Sequence, residues 1–124
     1  MSRLLDTRAR LLAAFAAGGI RTATTGKYSA PVVVVEAGDP WSEPFSHGRA
    51  RLARWRLTVI AGRSDAEGSL AALGGLVDQV DDAIRTMRSV SLPTWGQPID
   101  LALDAGTYAA SVSLVSIPTE ETAP

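Results

Sequence analysis

Cysteine is absent from these 124 residues, and histidine occurs once, as His47. The first absence excludes disulfides and thiolate metal sites and leaves the redox compartment open. The second means that a histidine-based metal centre would need carboxylates beside His47, where Glu43 is the only one close in sequence. Lysine is nearly missing too, since Lys27 is the one lysine among 12 basic residues. No apolar run approaches the ~20 residues needed to cross a bilayer, so no membrane partner is expected. Asp6, Arg8 and Arg10 interrupt the opening residues before they could form a signal peptide, and a cytosolic setting is the expectation. A net charge of −1 gives no general attraction to nucleic acid.

What is present suffices for one folded domain. The chain is 46% hydrophobic, and a domain of this size buries roughly two-thirds of its unfolded surface. Residues 1–117 read as a single α+β domain, with 118–124, PTEETAP, as a polar tail. Leu4, Leu11, Leu12 and Phe15, extended by Leu5, Ala9 and Ala16, predict a helix over 3–17 that Gly18-Gly19 stops. A short strand is expected within 20–24. Val32 to Val35, apolar at every position, predicts a strand buried on both faces. Residues 37–49, with two prolines, two glycines, Trp41 and Phe45, read as an irregular loop that becomes ordered on contact with a partner.

From Ala53 to Ala61 the odd positions form an apolar row, whereas Arg54, Arg56 and Thr58 lie opposite. Ser64 and Glu67 fit a capping box. Behind them Leu70, Leu73, Val77, Val80, Ile84 and Met87 recur at helical spacing. Gly68, Gly74 and Gly75 within this pattern suggest either a close approach to a sheet or a tolerated weakness of the helix. The alternation around Leu101 and Val112, across Asp104-Ala105-Gly106-Thr107, predicts a closing hairpin. The expected architecture is a mostly antiparallel sheet with two main helices packed on one face, ending in that hairpin.

No catalytic arrangement emerges. Gly74-Gly75 matches no phosphate-loop spacing. Asp78, Asp81 and Asp82 read as the wet face of the helix, with Arg85 four residues after Asp81 as an ion-pair partner. Neither a catalytic residue nor a cofactor is assigned. Arg49, Arg51, Arg54, Arg56 and Arg63 cluster without an intervening acid. They read either as a solvated strand face whose stems cover apolar neighbours, or as a subunit interface, where arginine and tryptophan are enriched. Trp41, Phe45 and Trp95 pose a similar choice, between lids on the core and anchors for a neighbour.

The succession of "APVVVVEAGDPW", "RWRLTVIAGR", "SDAEGSLAALGGLVDQVDDAIRTM" and "IDLALDAGTYAASVSLVSI" behind the first helix resembles the tail terminator proteins of long-tailed bacteriophages. The likeness is greatest to phages of actinobacterial hosts and covers residues 3–117. The resemblance implies a structural subunit without catalytic residues. It would form a six-membered ring that caps the tail tube protein, ends its polymerisation and joins the head connector proteins. DNA would pass through the centre without sequence recognition. Such a protein is assembled in the host cytoplasm and kept in the virion. Trp41, Phe45, Arg49, Arg51, Arg54, Arg56 and Trp95 are then the candidates for subunit or tube contact. A head-completion or stopper protein of the neck is the alternative within the same class. A small-molecule-binding domain, with His47, Trp41 and Trp95 around a pocket, is the alternative outside it.

Overall fold

The computed structural model describes residues 2–24, 29–44, 50–65, 67–103 and 106–119. Among these the elements run α1 (Arg3–Ala17), β1 (Thr22–Ala23), β2 (Val32–Pro44), β3 (Arg51–Arg63), α2 (Ser69–Arg85), β4 (Ile99–Leu103) and β5 (Gly106–Pro118). The strands form one sheet in the order β1-β2-β3-β5-β4. Every neighbouring pair is antiparallel except β1 with β2. The fold is therefore α+β, closed by the β4–β5 hairpin.

Helix α1 begins where the Ser2 hydroxyl accepts the Leu5 amide at 3.2 Å, an N-cap that satisfies one orphan donor. It ends in a Schellman closure. Gly19 takes a φ of 75°, and the Ile20 amide returns to the Phe15 carbonyl at 2.9 Å. Thr7, Leu11 and Phe15, four residues apart, are the buried stripe. Leu5, Ala9 and Ala16 stay exposed, so the apolar face is narrower than the sequence suggests.

Helix α2 starts later than expected. Its N-cap is Gly68 in a left-handed conformation, with no side-chain cap. Ser64 does not close a capping box; its amide and hydroxyl both donate to the Thr107 carbonyl, at 2.9 and 3.3 Å. The cause is a register shift between Ile60 and Arg63, which carries β3 on beside β5 and commits Ser64 to the sheet. Leu73, Leu76, Val80, Ala83 and Ile84 form the buried face of α2. Leu70 lies about a quarter-turn from the centre of that stripe at 3.6 residues per turn, and it is 65% exposed. Gly74 and Gly75 are exposed, and a Cβ on either would meet nothing within 4 Å, so they do not mark a close approach to the sheet.

Both helices pack on one face of the sheet. Leu11, Phe15, Leu73, Val80 and Ile84 meet Val33, Val35, Trp55, Leu57 and Val59 in the main core. Val32, Val34, Ile60 and Ala110 form a smaller cluster on the opposite face, with Leu101, Leu103 and Tyr108 against it. The valine run is thus buried on both sides, as its lack of alternation implies.

Two segments depart from expectation. Residues 37–44 are strand, not loop. After a register shift between Ala37 and Ser42, β2 resumes pairing with β3 at Ser42↔Ala53 and continues to Pro44↔Arg51. A bulge absorbs Gly38-Asp39-Pro40-Trp41, and an inserted bulge breaks the period of two that announces a strand. Residues 45–49, with Phe45, His47 and Arg49, lie outside the described residues. At the other end the sheet outlasts residue 117. The Thr119 amide donates to the Arg51 carbonyl at 2.7 Å, and its hydroxyl accepts the Arg51 amide at 2.9 Å.

Candidate functional site

Strand β3 divides the candidate arginines between two faces. The register places Arg54 and Arg56 on the helix-free face, whereas Arg51 shares the parity of Ala53 and Trp55 and stands on the helix side. On the helix-free face each arginine meets an acid from β2. Arg56 stands opposite Glu36 in register and pairs with it at 3.2 Å. Arg54 reaches Glu43 at 2.7 Å beyond the bulge. Two members of the acid-free arginine run thus form a cross-strand charge ladder in the fold. The Arg54 Nε atom is buried and has no partner among the described residues. Leu114, opposite Arg56, is 45% exposed beside these pairs. On the other face the Arg51 guanidinium donates to Ser42 Oγ at 2.6 Å.

Trp41 belongs partly to the core and partly to the surface. Its ring meets Trp55 edge-on with centroids 5.8 Å apart, yet it remains 39% exposed. Trp55 itself is anchored on every side. Its indole N–H donates to Thr7 Oγ1 at 2.8 Å, and the Arg8 guanidinium sits 5.8 Å above the ring. The Thr7 hydroxyl in turn donates to the Leu4 carbonyl, so a threonine inside a helix serves two partners. The sequence offers no sign of this, because Thr7 interrupts the apolar stripe it completes.

Trp95 ties the α2–β4 connection down. Its indole N–H donates to Asp81 Oδ1 at 3.0 Å, and the ring packs against the main core. The Ser111 hydroxyl donates to the Gly96 carbonyl at 2.7 Å and the Ser113 hydroxyl to that of Thr94 at 2.5 Å. Asp81 is therefore committed to Trp95, and Arg85 pairs with Asp82 at 2.8 Å instead of with the expected Asp81. Along this tie and the edge of β5 runs a groove of about 590 Å³, lined by Leu92, Pro93, Trp95, Val112, Leu114 and Ser116 among others.

A second concavity, of about 620 Å³, opens where the end of α1, the sheet and α2 meet. Ile20, Val32, Ala61 and Leu76 make it largely apolar, and Arg21 and Gln79 are among its lining. Neither Trp41 nor Trp95 reaches it. Of the residues imagined around a pocket, His47 lies outside the described residues, and the two tryptophans anchor to different elements, Trp41 against Trp55 and Trp95 on Asp81. Among the described residues no three His, Cys, Asp or Glu side chains gather as a metal would require. Nor is any described helix long and apolar enough to cross a membrane. The chain matches no protein-family profile and no curated protein.

Proposed function

We propose that this domain is a structural subunit of a long-tailed phage tail. As a tail terminator, it forms a ring that caps the tube, stops its growth and joins the head connector. The observation that carries the reading is the sheet face without helices, where Leu114 and Ile99 are each nearly half exposed around a ladder of paired Arg54, Arg56, Glu36 and Glu43. Apolar groups among arginines held in place by neighbouring acids make a surface suited to a protein partner. Arginine is enriched at such contacts, and side chains already fixed lose less entropy on binding. The element order that resembles the terminators supports the same reading. A closed ring also needs two different surfaces per subunit, and a domain with helices on one side of its sheet has them.

Native mass measurement and particle imaging of the purified chain, alone and with tail tubes, test the proposal. Rings of about six copies seated on tube ends are expected, with closure by rotation. A chain that stays monomeric at high concentration and leaves tube growth unchanged would overturn it.

A further inference from the structure

We infer that neighbouring copies join edge to edge, the free edge of β5 in one copy receiving the free edge of β2 in the next. The inference rests on the ring reading above and names the contact that would close it. Strand β3 is paired on both sides along nearly its whole length. Its partners are not. Among the described residues β1 covers only Val33 and Val34 of β2, and β4 covers only Gly106 to Ala110 of β5. Beyond these a three-stranded ribbon continues; among the described residues no strand pairs with either margin, and only the Gly96 amide on the Val112 carbonyl and the Arg10 guanidinium on the Pro118 carbonyl reach the outer side of β5.

The backbone shows which groups are offered. Thr119 donates its amide to Arg51 on β3, whereas Val112 turns its carbonyl to Gly96 on the far side. By alternation, Leu114 and Ser116 direct their amides and carbonyls outward. On β2 the Val33 amide donates to Arg21 on the β1 side, so Val35 and Ala37 continue that outward row. Each margin thus presents at least two residues at the same end of the sheet.

The margins also complement each other. Leu92 and Leu114, 42% and 45% exposed, flank the β5 groove. An unpaired strand edge beside exposed apolar side chains is the usual setting for strand addition. Beside the β2 margin stands Trp41, 39% exposed, the side-chain type that most often anchors an interface. Charge agrees as well. Asp39 lies between Ala37 and Ser42, whose rows lead across β3 to Val115 and Ile117. At that level of β5 the Arg10 guanidinium donates to the Pro118 carbonyl at 2.7 Å. A level junction brings Asp39 of one copy to Arg10 of the next.

Direction selects the symmetry. β2 and β5 both run antiparallel to β3 and hence parallel to each other. Joining β5 to β2 of the next copy keeps every subunit in the same sense, a head-to-tail contact that closes by rotation. Pro40, which has no N–H to offer outward, limits the proposed junction on β2 to the residues before it.

Three variants test the junction. Ser116→Pro removes an outward amide while sparing those that face β3, and Leu92→Asp charges the groove from outside the sheet. Either blocks the β5 margin, and Trp41→Asp blocks the β2 margin. Circular dichroism identifies the folded variants, and native mass spectrometry reads assembly. Each folded variant should weaken self-association by at least about tenfold. An equimolar mixture of Leu92→Asp with Trp41→Asp should recover a dimer, because one intact junction remains. Folded variants that still form wild-type rings, or a mixture that stays monomeric, would overturn the edge junction while leaving the ring reading intact. A wild-type chain that forms no assembly, alone or with tubes, would overturn the ring reading and the junction with it.

Discussion

Odd and even residues of β3 share one backbone ladder yet live in different surroundings. Trp55, Leu57 and Val59 lie almost wholly buried beneath α1 and α2, whereas Arg54, Arg56 and Thr58 on the opposite face keep contact with water. Hydrogen bonding within the sheet cannot make this difference, because both sets take part in it. Helix coverage does. A buried aromatic removes 150–250 Å² from water at ~25 cal/mol per Å², which amounts to several kcal/mol. A half-exposed ion pair contributes about 0–1 kcal/mol. The arginine end of the helix-free face therefore adds little to stability and can serve contact at little cost to folding, whereas the smaller cluster around Ile60 keeps the other end of that face buried.

The largest expected effect comes from attacking the helix face directly. Trp55→Ala should lower the unfolding free energy by about 3–5 kcal/mol, measured by urea denaturation. A loss below about 1 kcal/mol would erase the contrast between the faces. Next comes Thr7→Val, which keeps the volume but leaves the Trp55 indole N–H without its acceptor; about 1–3 kcal/mol should be lost. Adding Trp55→Phe removes the stranded donor, so the double variant should lose clearly less than the sum of the two single ones.

Asp81→Ala sharpens the comparison at the margin of the core. It frees the Trp95 indole N–H, with an expected loss of about 0.5–1.5 kcal/mol and faster amide exchange in residues 91–97. Unchanged exchange there would show that the serine bonds to Thr94 and Gly96 hold the segment unaided. The smallest effect belongs to the open face. Arg56→Ala and Glu36→Ala should each change stability by no more than about 0.5 kcal/mol. A loss near 2 kcal/mol from either would place real stabilising weight on the ladder.

Legibility followed the same division. Wherever one period ran without interruption, as in the valine run and the odd row of β3, element type and buried face could be read directly; for α2 the element was legible, but of its expected stripe Leu73, Val80 and Ile84 are buried and Leu70 is not. Parity alone also separates Arg51 from Arg54 and Arg56. The two misreadings of element bounds fell where a bulge broke the period. Gly38 to Trp41 concealed the second half of β2, and the shift after Ile60 left the apparent capping serine bonded to the Thr107 carbonyl of β5. The partners of the arginines were hidden for a related reason. Glu36 continues the row of Val32 and Val34, but which β3 residue it opposes depends on register across the hairpin.

By itself the sequence determined the α+β class, the closing hairpin and the principal core, because hydrophobic spacing is a local property that each segment carries with it. Tertiary structure alone decided that Glu36 and Glu43 pair with Arg56 and Arg54, that Thr7 holds Trp55, that Asp81 serves Trp95, and how far β1 and β4 cover their neighbours. These depend on register and strand length, which are settled only when separate segments compete for the same hydrogen bonds and the same shelter from water.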